Sequence, residues 1–210
     1  MLLRSLDGSS TSQSEYPPTI ILSILFTKMS RQGPRPPRFG GGDLERLANE
    51  RRAVLVPMGQ VNFVAFNQLP AIGTWDLMGC SVVLVVSQFG AILAHIPPQP
   101  QATLDPNAGD ANVLRMMNQV RNLHIQYSAL FPLATTSIVC AVYGGQVALP
   151  DQLEIMRRKF SEMGYTPLIQ YYHVPTNVSQ PGQGTVVARI LPGHTTPTVF
   201  VQDRPVFQVQ

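Results

Sequence analysis

The sequence predicts an α+β fold, with a mostly antiparallel β-sheet or sandwich and two main helices. The 210-residue chain contains 19 prolines and 16 glycines, a frequency typical of many turns and short elements. Short apolar stretches follow one another in pairs, and two helical patterns are inserted between those pairs. A parallel sheet would need a regular alternation of strands and helices, which the sequence lacks.

Charge divides the chain into an N-terminal arm and a folded domain. Residues 1–52 hold eight Lys or Arg against five Asp or Glu, whereas residues 53–210 hold seven of each kind. The arm is rich in proline and glycine, as in GPRPPRFGGG at 33–42, so we expect 1–52 to be disordered and 53–210 to form one domain. Because that domain is neutral and has no basic stripe, we expect no nucleic-acid binding despite a pI of about 9.1.

The first half of the domain is predicted to consist of hairpins. Residues 43–52 fit a short helix with Asp43 as its N-cap, just before the domain. Stretches 53–56 and 61–66 flank a turn at 57–60, the pattern of a β-hairpin. The run SVVLVV at 81–86 predicts a strand that is buried on both faces. A turn at 87–90 then leads into a return strand at 91–96, which two prolines end.

The second half is predicted to combine helices with further strands. Apolar residues recur at helical spacing from 110 to 130. An amphipathic pattern from 151 to 163 ends at Gly164, a residue favoured just after a helix. Strands are predicted at 136–143, 168–174, 184–191 and 198–209.

Cysteine usage and hydropathy narrow the class of protein. Cys80 and Cys140 are the two cysteines, too few for a disulfide framework, and no Cys/His cluster has zinc spacing. We therefore expect no metal, no cofactor and a reducing, cytoplasmic location. The apolar run at 19–26 is far shorter than the about 20 residues of a membrane span, so we expect no membrane insertion. The sequence leaves the oligomeric state open.

The hairpin at 81–96 brings together two residues with nucleophilic and acid–base chemistry. Cys80 stands at the entrance of its first strand, and His95 lies near the end of its second. If the turn centres between Ser87 and Gln88 the two residues face each other, and if it centres one residue later they are diagonal neighbours. Both registers put them on one face, about 5 to 8 Å apart at Cβ, whereas a one-residue bulge would put them on opposite faces.

The residues around this pair favour a reactive thiol. A histidine close to a cysteine stabilises the thiolate, which is the nucleophilic form. Gly79 leaves the thiol uncrowded and lets a ligand approach the backbone. Thr74 is placed to orient the imidazole through its hydroxyl or carbonyl, which would complete a nucleophile, a base and an orienting group.

Structural roles for the same residues remain open. An isolated cysteine beside a strand is most often a small buried apolar residue, and an isolated histidine at a strand end is most often a surface or packing residue. Cys140, in the middle of a predicted strand, fits that structural role. Trp75, the one tryptophan in the sequence, either shields the site or anchors its loop. Residue chemistry alone does not choose between these interpretations for Cys80 and His95.

These residues resemble a known family of enzymes. The segments TWDLMGCS at 74–81 and AHIP at 94–97 are similar to the Thr, Cys and His motifs of the CheD chemoreceptor glutamine deamidases and of the catalytic domains of cytotoxic necrotizing factor toxins. The strand at 138–143, followed by two glycines, resembles the Phe-Gly-Gly strand of that family. The order of the later elements is similar over roughly 54–205, although the specific motifs are confined to the hairpin region.

The resemblance implies a CheD-like fold and a cysteine-dependent protein glutamine deamidase. In that interpretation Cys80 is the nucleophile, His95 the acid and base, and Thr74 the orienting residue. Gly79, Ser81 and Trp75 would contact the substrate, a protein with an exposed glutamine. Two alternatives are a non-catalytic interaction protein that retains the fold, and another Cys/His amidase or a transglutaminase-like enzyme.

Overall fold

The structure is a computed structural model in which residues 42–102, 104–174 and 180–209 are described. The predictions made for residues 1–41, including disorder and the short apolar run, lie outside these ranges. Three α-helices and eleven strands are formed within them. In chain order they are α1 (Asp43–Asn49), β1 (Ala53–Leu55), β2 (Val61–Ala65), β3 (Ala71–Thr74), β4 (Ser81–Val86), β5 (Gly90–Ile96), α2 (Ala108–Gln126), β6 (Thr135–Tyr143), β7 (Gln146–Val147), α3 (Pro150–Glu162), β8 (Leu168–His173), β9 (Val186–Ile190), β10 (Pro197–Val201) and β11 (Arg204–Gln208).

The strands form two sheets that are mostly antiparallel, which confirms the predicted α+β class. Sheet A has the strand order β1-β3-β9-β10-β11, and sheet B has the order β2-β5-β4-β6-β7, with β8 also paired to β6. Two strand pairs are parallel, β1 with β3 and β6 with β8.

Three apolar clusters separate the layers of the domain. The first contains side chains of both sheets, such as Val82 and Leu84 from sheet B and Ala188 and Val199 from sheet A, so it lies between the sheets. A second cluster joins the other face of sheet B to α2 and α3, and a third joins sheet A to α1. The domain is therefore a β-sandwich with helices on both outer faces.

The β4–β5 hairpin, which the sequence predicts, occupies the centre of sheet B. Every residue of β4 and β5 is buried, because β5 is covered by β2 at one side and β4 by β6 at the other. Side chains of these strands alternate between the two clusters on either face. A strand that is apolar on both faces suits this position, since neither face meets water.

The predicted hairpin of 53–56 with 61–66 is wrong. β1 pairs with β3 in sheet A, whereas β2 pairs with β5 in sheet B. The intervening residues cross between the sheets: the N–H of Val56 donates to Gly73 of sheet A, and the N–H of Gly59 donates to His95 of sheet B. Gly59 has φ +78°, a conformation that glycine adopts without strain.

Two further boundaries differ from the prediction. The helix expected at 43–52 is α1, with Gly42 rather than Asp43 as N-cap, and its Leu44 and Leu47 are buried against sheet A. The folded domain therefore begins before residue 53. The single strand expected at 198–209 is a hairpin of β10 and β11, whose turn residues Gln202 and Asp203 both have positive φ.

Among the described helices, none is both long enough and apolar enough to cross a membrane.

Candidate active site

Thr74 and His95 meet across the space between the two sheets. Thr74 ends β3 of sheet A, and His95 is the penultimate residue of β5 of sheet B. The Thr74 Oγ1 atom lies 2.6 Å from His95 Nδ1 and 2.7 Å from the Val56 carbonyl oxygen. The threonine is completely buried and the histidine is 1% exposed. The predicted orienting contact is thus present in the structure.

The strand register places Cys80 on the same face as His95. In β4–β5, Ser81 pairs with Ile96 and Val82 pairs with His95, so Cys80 is a diagonal neighbour of His95. Cys80 packs in the cluster between the sheets, together with Val82 of β4 and with Leu93, which has the same orientation in β5 as His95. The prediction of a shared face is confirmed, in the second of the two registers considered.

The hydrogen bonds around Thr74 determine which imidazole nitrogen carries the proton. A carbonyl oxygen only accepts, so the Thr74 hydroxyl donates its hydrogen to Val56. Towards His95 the same hydroxyl is then an acceptor, and Nδ1 must be the N–H donor. In the neutral ring Nε2 therefore holds a lone pair. Nε2 is buried and has no hydrogen-bond partner within the described part of the chain.

Burial keeps both members of the pair uncharged. It lowers the pKa of His95 to about 4, so the imidazole is neutral at neutral pH. Burial also raises the pKa of the Cys80 thiol, and a backbone hydrogen bond from Met78 opposes that effect without cancelling it. The resting site consequently contains a thiol and a free base rather than a thiolate–imidazolium ion pair.

The loop that leads into β4 places exposed and open positions directly before Cys80. Gly79 has φ +112°, and a Cβ atom placed there would meet nothing within 4 Å. Met78 is 54% exposed, whereas Leu77 is buried in the cluster between the sheets and donates its N–H to Gly184. Cys80 itself is 4% exposed. The backbone at Gly79 is therefore open on the side where a Cβ atom would stand, whereas the adjacent thiol is covered.

Tyr172 is a neighbour of the site that the sequence reasoning did not identify. It lies in β8 and is 1% exposed, and its hydroxyl accepts from the Gly79 N–H (2.9 Å) and donates to the Cys80 carbonyl (2.8 Å). The contact joins residues more than ninety positions apart. Within the sequence LIQYYH, only the alternation of side chains indicates that Tyr172 points to the sandwich interior while Tyr171 does not.

Ser81 and Trp75 have side chains outside this cluster. Ser81 follows Cys80 in an extended segment and points to the helix side of sheet B, where its hydroxyl bonds to Cys140. Trp75 packs in the cluster between sheet A and α1, so its position fits the role of a loop anchor. The predicted substrate contacts of Ser81 therefore depend on its backbone alone, and those of Gly79 on the open side described above.

No group of three or more metal-binding side chains occurs in the described ranges of the chain. Comparison with known proteins adds no assignment: no protein-family model matches the chain, and no match is found among curated proteins.

Proposed function

We propose that the protein is a cysteine-dependent deamidase that hydrolyses the side-chain amide of glutamine in a protein substrate. The observation that carries the proposal is the buried Nε2 of His95, which has no hydrogen-bond partner among the described residues and which Thr74, through Nδ1, holds on the face that carries Cys80. A buried base with a fixed tautomer beside a thiol is the arrangement that activates a cysteine nucleophile. The resemblance of the 74–81 and 94–97 segments to the CheD and necrotizing factor motifs supplies the amide substrate.

The first half of the reaction releases ammonia. His95 Nε2 removes the proton of the Cys80 thiol as Sγ attacks the amide carbon, which gives a tetrahedral intermediate. The protonated imidazole then donates that proton to the amide nitrogen, the C–N bond breaks, and ammonia leaves a thioester on Cys80. Protonation of the leaving nitrogen is necessary because an amide anion is too basic to depart.

The second half restores the enzyme. Nε2 removes a proton from water, the hydroxide attacks the thioester carbon, and the C–S bond breaks. The Cys80 sulfur regains its proton from the imidazole, and the product is a glutamate side chain. No metal or organic cofactor takes part in either half.

The backbone supplies the donor for the negatively charged oxygen of each intermediate. The N–H of His95 donates to the Gln60 carbonyl, and the His95 carbonyl accepts from the Gly59 N–H. Because backbone groups of successive residues in a strand point to opposite sides, the N–H and C=O of Ile96 point to its partner Ser81 in β4. The N–H of Ser81 is then part of the sheet. We assign the oxyanion contact to the N–H of Cys80, which precedes the ladder.

A reducing, cytoplasmic compartment suits this chemistry, because the nucleophile must remain a thiol. Both cysteines are free in the structure. A different amide substrate would make the same pair another amidase, and an amine acceptor in place of water would make it a transglutaminase-like enzyme. The product distinguishes those reactions.

The experiment that tests the proposal measures ammonia release and the conversion of glutamine to glutamate in an unfolded, glutamine-rich protein such as β-casein. The full chain should release ammonia and convert glutamine residues, and Cys80→Ser and His95→Ala should do neither at a measurable rate. Cys140→Ser is the matched control and should retain activity. Equal product from wild type and Cys80→Ser would contradict the proposal.

A non-catalytic interaction role is the competing function, and the 4% exposure of Cys80 is the observation that favours it. In that role Cys80 packs as a small apolar residue. Alkylation by iodoacetamide discriminates between the catalytic and the packing role. A catalytic Cys80 is alkylated in the folded protein, and His95→Ala slows that alkylation. A packing Cys80 is alkylated no faster than Cys140.

A further inference from the structure

Tyr172 occupies the place where the ladder between β4 and β6 stops. The last pair of that ladder on this side is Val82 with Val139, and two residues further on the same register would bring Cys80 beside Ala141. Ala141 pairs with Tyr172 in the neighbouring β6–β8 ladder. Cys80, Ala141 and Tyr172 thus form a row across three strands, and all three belong to the cluster between the sheets.

The small side chain in the middle of the row lets the phenol reach across it. Tyr172 Oη accepts from Gly79 and donates to Cys80, so it replaces the strand partner that β6 no longer provides there. A tyrosine hydroxyl has one hydrogen to donate and lone pairs to accept, and both capacities are used in these two contacts.

The two contacts flank the peptide group that carries the Cys80 N–H. The Gly79 N–H belongs to the preceding peptide, and the Cys80 carbonyl belongs to the following one. When both neighbours are held by one rigid phenol, the direction of the intervening N–H is fixed as well. Gly79 has φ +112°, so without these bonds this residue has a wide choice of conformations.

We propose that Tyr172 is the positioning residue of the nucleophile: it sets the direction of the Cys80 side chain towards His95 and of the Cys80 N–H towards the oxyanion. This assignment rests on the proposed function, because it acts through the Cys80–His95 pair. Tyr172 touches the backbone of the nucleophile and takes no proton from the substrate. Its effect is geometric, and displacement of reacting groups by about 1 Å can slow a reaction by about a hundredfold.

The test measures the rate of Cys80 alkylation by iodoacetamide in the folded full chain, with Cys140 followed in the same digest by mass spectrometry. Tyr172→Phe retains the ring and removes both hydrogen bonds. Tyr171→Phe is the matched control, since Tyr171 is the adjacent residue and is 56% exposed. We expect Tyr172→Phe to slow Cys80 alkylation about tenfold, and Tyr171→Phe to change it less than about twofold.

A double-mutant cycle with His95→Ala separates positioning from a general loss of stability. If Tyr172 acts through the geometry of the pair, Tyr172→Phe has no further effect once His95 is absent. An equal slowing of Cys80 in both backgrounds, or a parallel rise in Cys140 alkylation, would show a purely structural role and overturn the assignment. Should Tyr172→Phe fail to fold, Ala141→Val displaces the phenol while retaining its hydroxyl, and the same slowing is expected.

The outcomes also distinguish the two proposals from each other. If His95→Ala leaves the alkylation of Cys80 unchanged, the deamidase proposal fails whatever Tyr172 does. If His95→Ala slows Cys80 and Tyr172→Phe behaves as Tyr171→Phe does, only the assignment of Tyr172 fails.

Discussion

The two faces of sheet B each carry a buried cysteine, and the strand register places a histidine on the face of Cys80. Cys80 lies on the face towards sheet A, with His95 as diagonal neighbour, and Cys140 lies on the face towards the helices, where Ser81 is its hydrogen-bonding neighbour. Burial raises the pKa of both thiols, that of Cys140 to about 11. Burial therefore does not distinguish the proposed nucleophile from a core residue. What differs is the His95 Nε2 on the face of Cys80, which has no hydrogen-bond partner among the described residues.

The largest expected difference between the faces is in activity after removal of each sulfur. Cys80→Ala should lower ammonia release by at least about 10³-fold, because the covalent intermediate cannot form. Cys140→Ala should leave the rate within about threefold and lower the free energy of unfolding by about 1 kcal/mol, the cost of a small cavity. Ammonia assays and urea denaturation measure the two quantities. A comparable loss of activity in both variants would remove the distinction.

A threonine beside each face of sheet B provides the next comparison. Thr74 of sheet A faces the Cys80 side and uses its hydroxyl fully, whereas the Oγ1 of Thr136, on the helix side of sheet B, has no partner in the described residues. Thr74→Val leaves the Val56 carbonyl and the His95 Nδ1–H unpaired. We expect a loss of about 1–3 kcal/mol in the free energy of unfolding and a slower reaction. Thr136→Val removes a buried hydroxyl that is already unpaired, so it should be neutral or stabilising. Destabilisation by Thr136→Val equal to that of Thr74→Val would contradict the assigned network.

The pH dependence of stability should report the buried imidazole. The pKa of His95 is lowered by burial from 6.5 to about 4, so between these values the unfolded chain binds more protons than the folded one. The stability contribution of neutral His95 is complete above pH 6.5 and is lost as the pH falls towards 4, up to about 3 kcal/mol.

Urea denaturation at pH 7 and pH 5 measures this effect. His95→Gln should reduce the difference in free energy between the two pH values. His194→Gln, in which an exposed turn residue is replaced, is the control and should keep the wild-type difference. An unchanged difference in His95→Gln would mean that the imidazole is not held in its neutral form by burial.

The smallest effect is expected from Ser81→Ala. Its hydroxyl faces Cys140 and not the proposed site, so the rate of ammonia release should change by less than about twofold. The free energy of unfolding should fall by about 1 kcal/mol, the contribution of an ordinary hydrogen bond. A large loss of activity would mean that the Ser81 hydroxyl contacts the substrate, and it would contradict the assignment of the reaction to the Cys80 face alone.

The central hairpin was predictable because its information is local. The run at 81–86, the turn after it and the proline stop after His95 limit the register to a few choices, and two of those three place Cys80 and His95 on one face. The orientation of Ser81 follows from the same rule, since neighbouring residues in an extended chain point to opposite faces. By that rule the Ser81 side chain points away from the face of Cys80, which argues against a substrate contact through its hydroxyl.

The other parts of the site depend on contacts that are distant in the sequence. β3 is four residues long, AIGT, and its two β-branched residues are separated by a glycine, which is too short a pattern to identify the strand that carries Thr74. The assignment of β1 and β2 to different sheets depends on tertiary pairing that a local turn signal does not encode. Tyr172 is joined to Cys80 only by the fold, through a strand whose partner is β6.

The hydrogen bond from His95 to Thr74 has a consequence for how the proposed activity would be lost on heating or in denaturant. Its two residues belong to separate sheets, so the bond exists only while those sheets are docked. A small separation of the sheets, with every strand still paired within its own sheet, would release the imidazole and let it rotate. The rate of Cys80 alkylation would then fall before circular dichroism records any loss of β-structure. That rate would therefore report whether the two sheets are in contact.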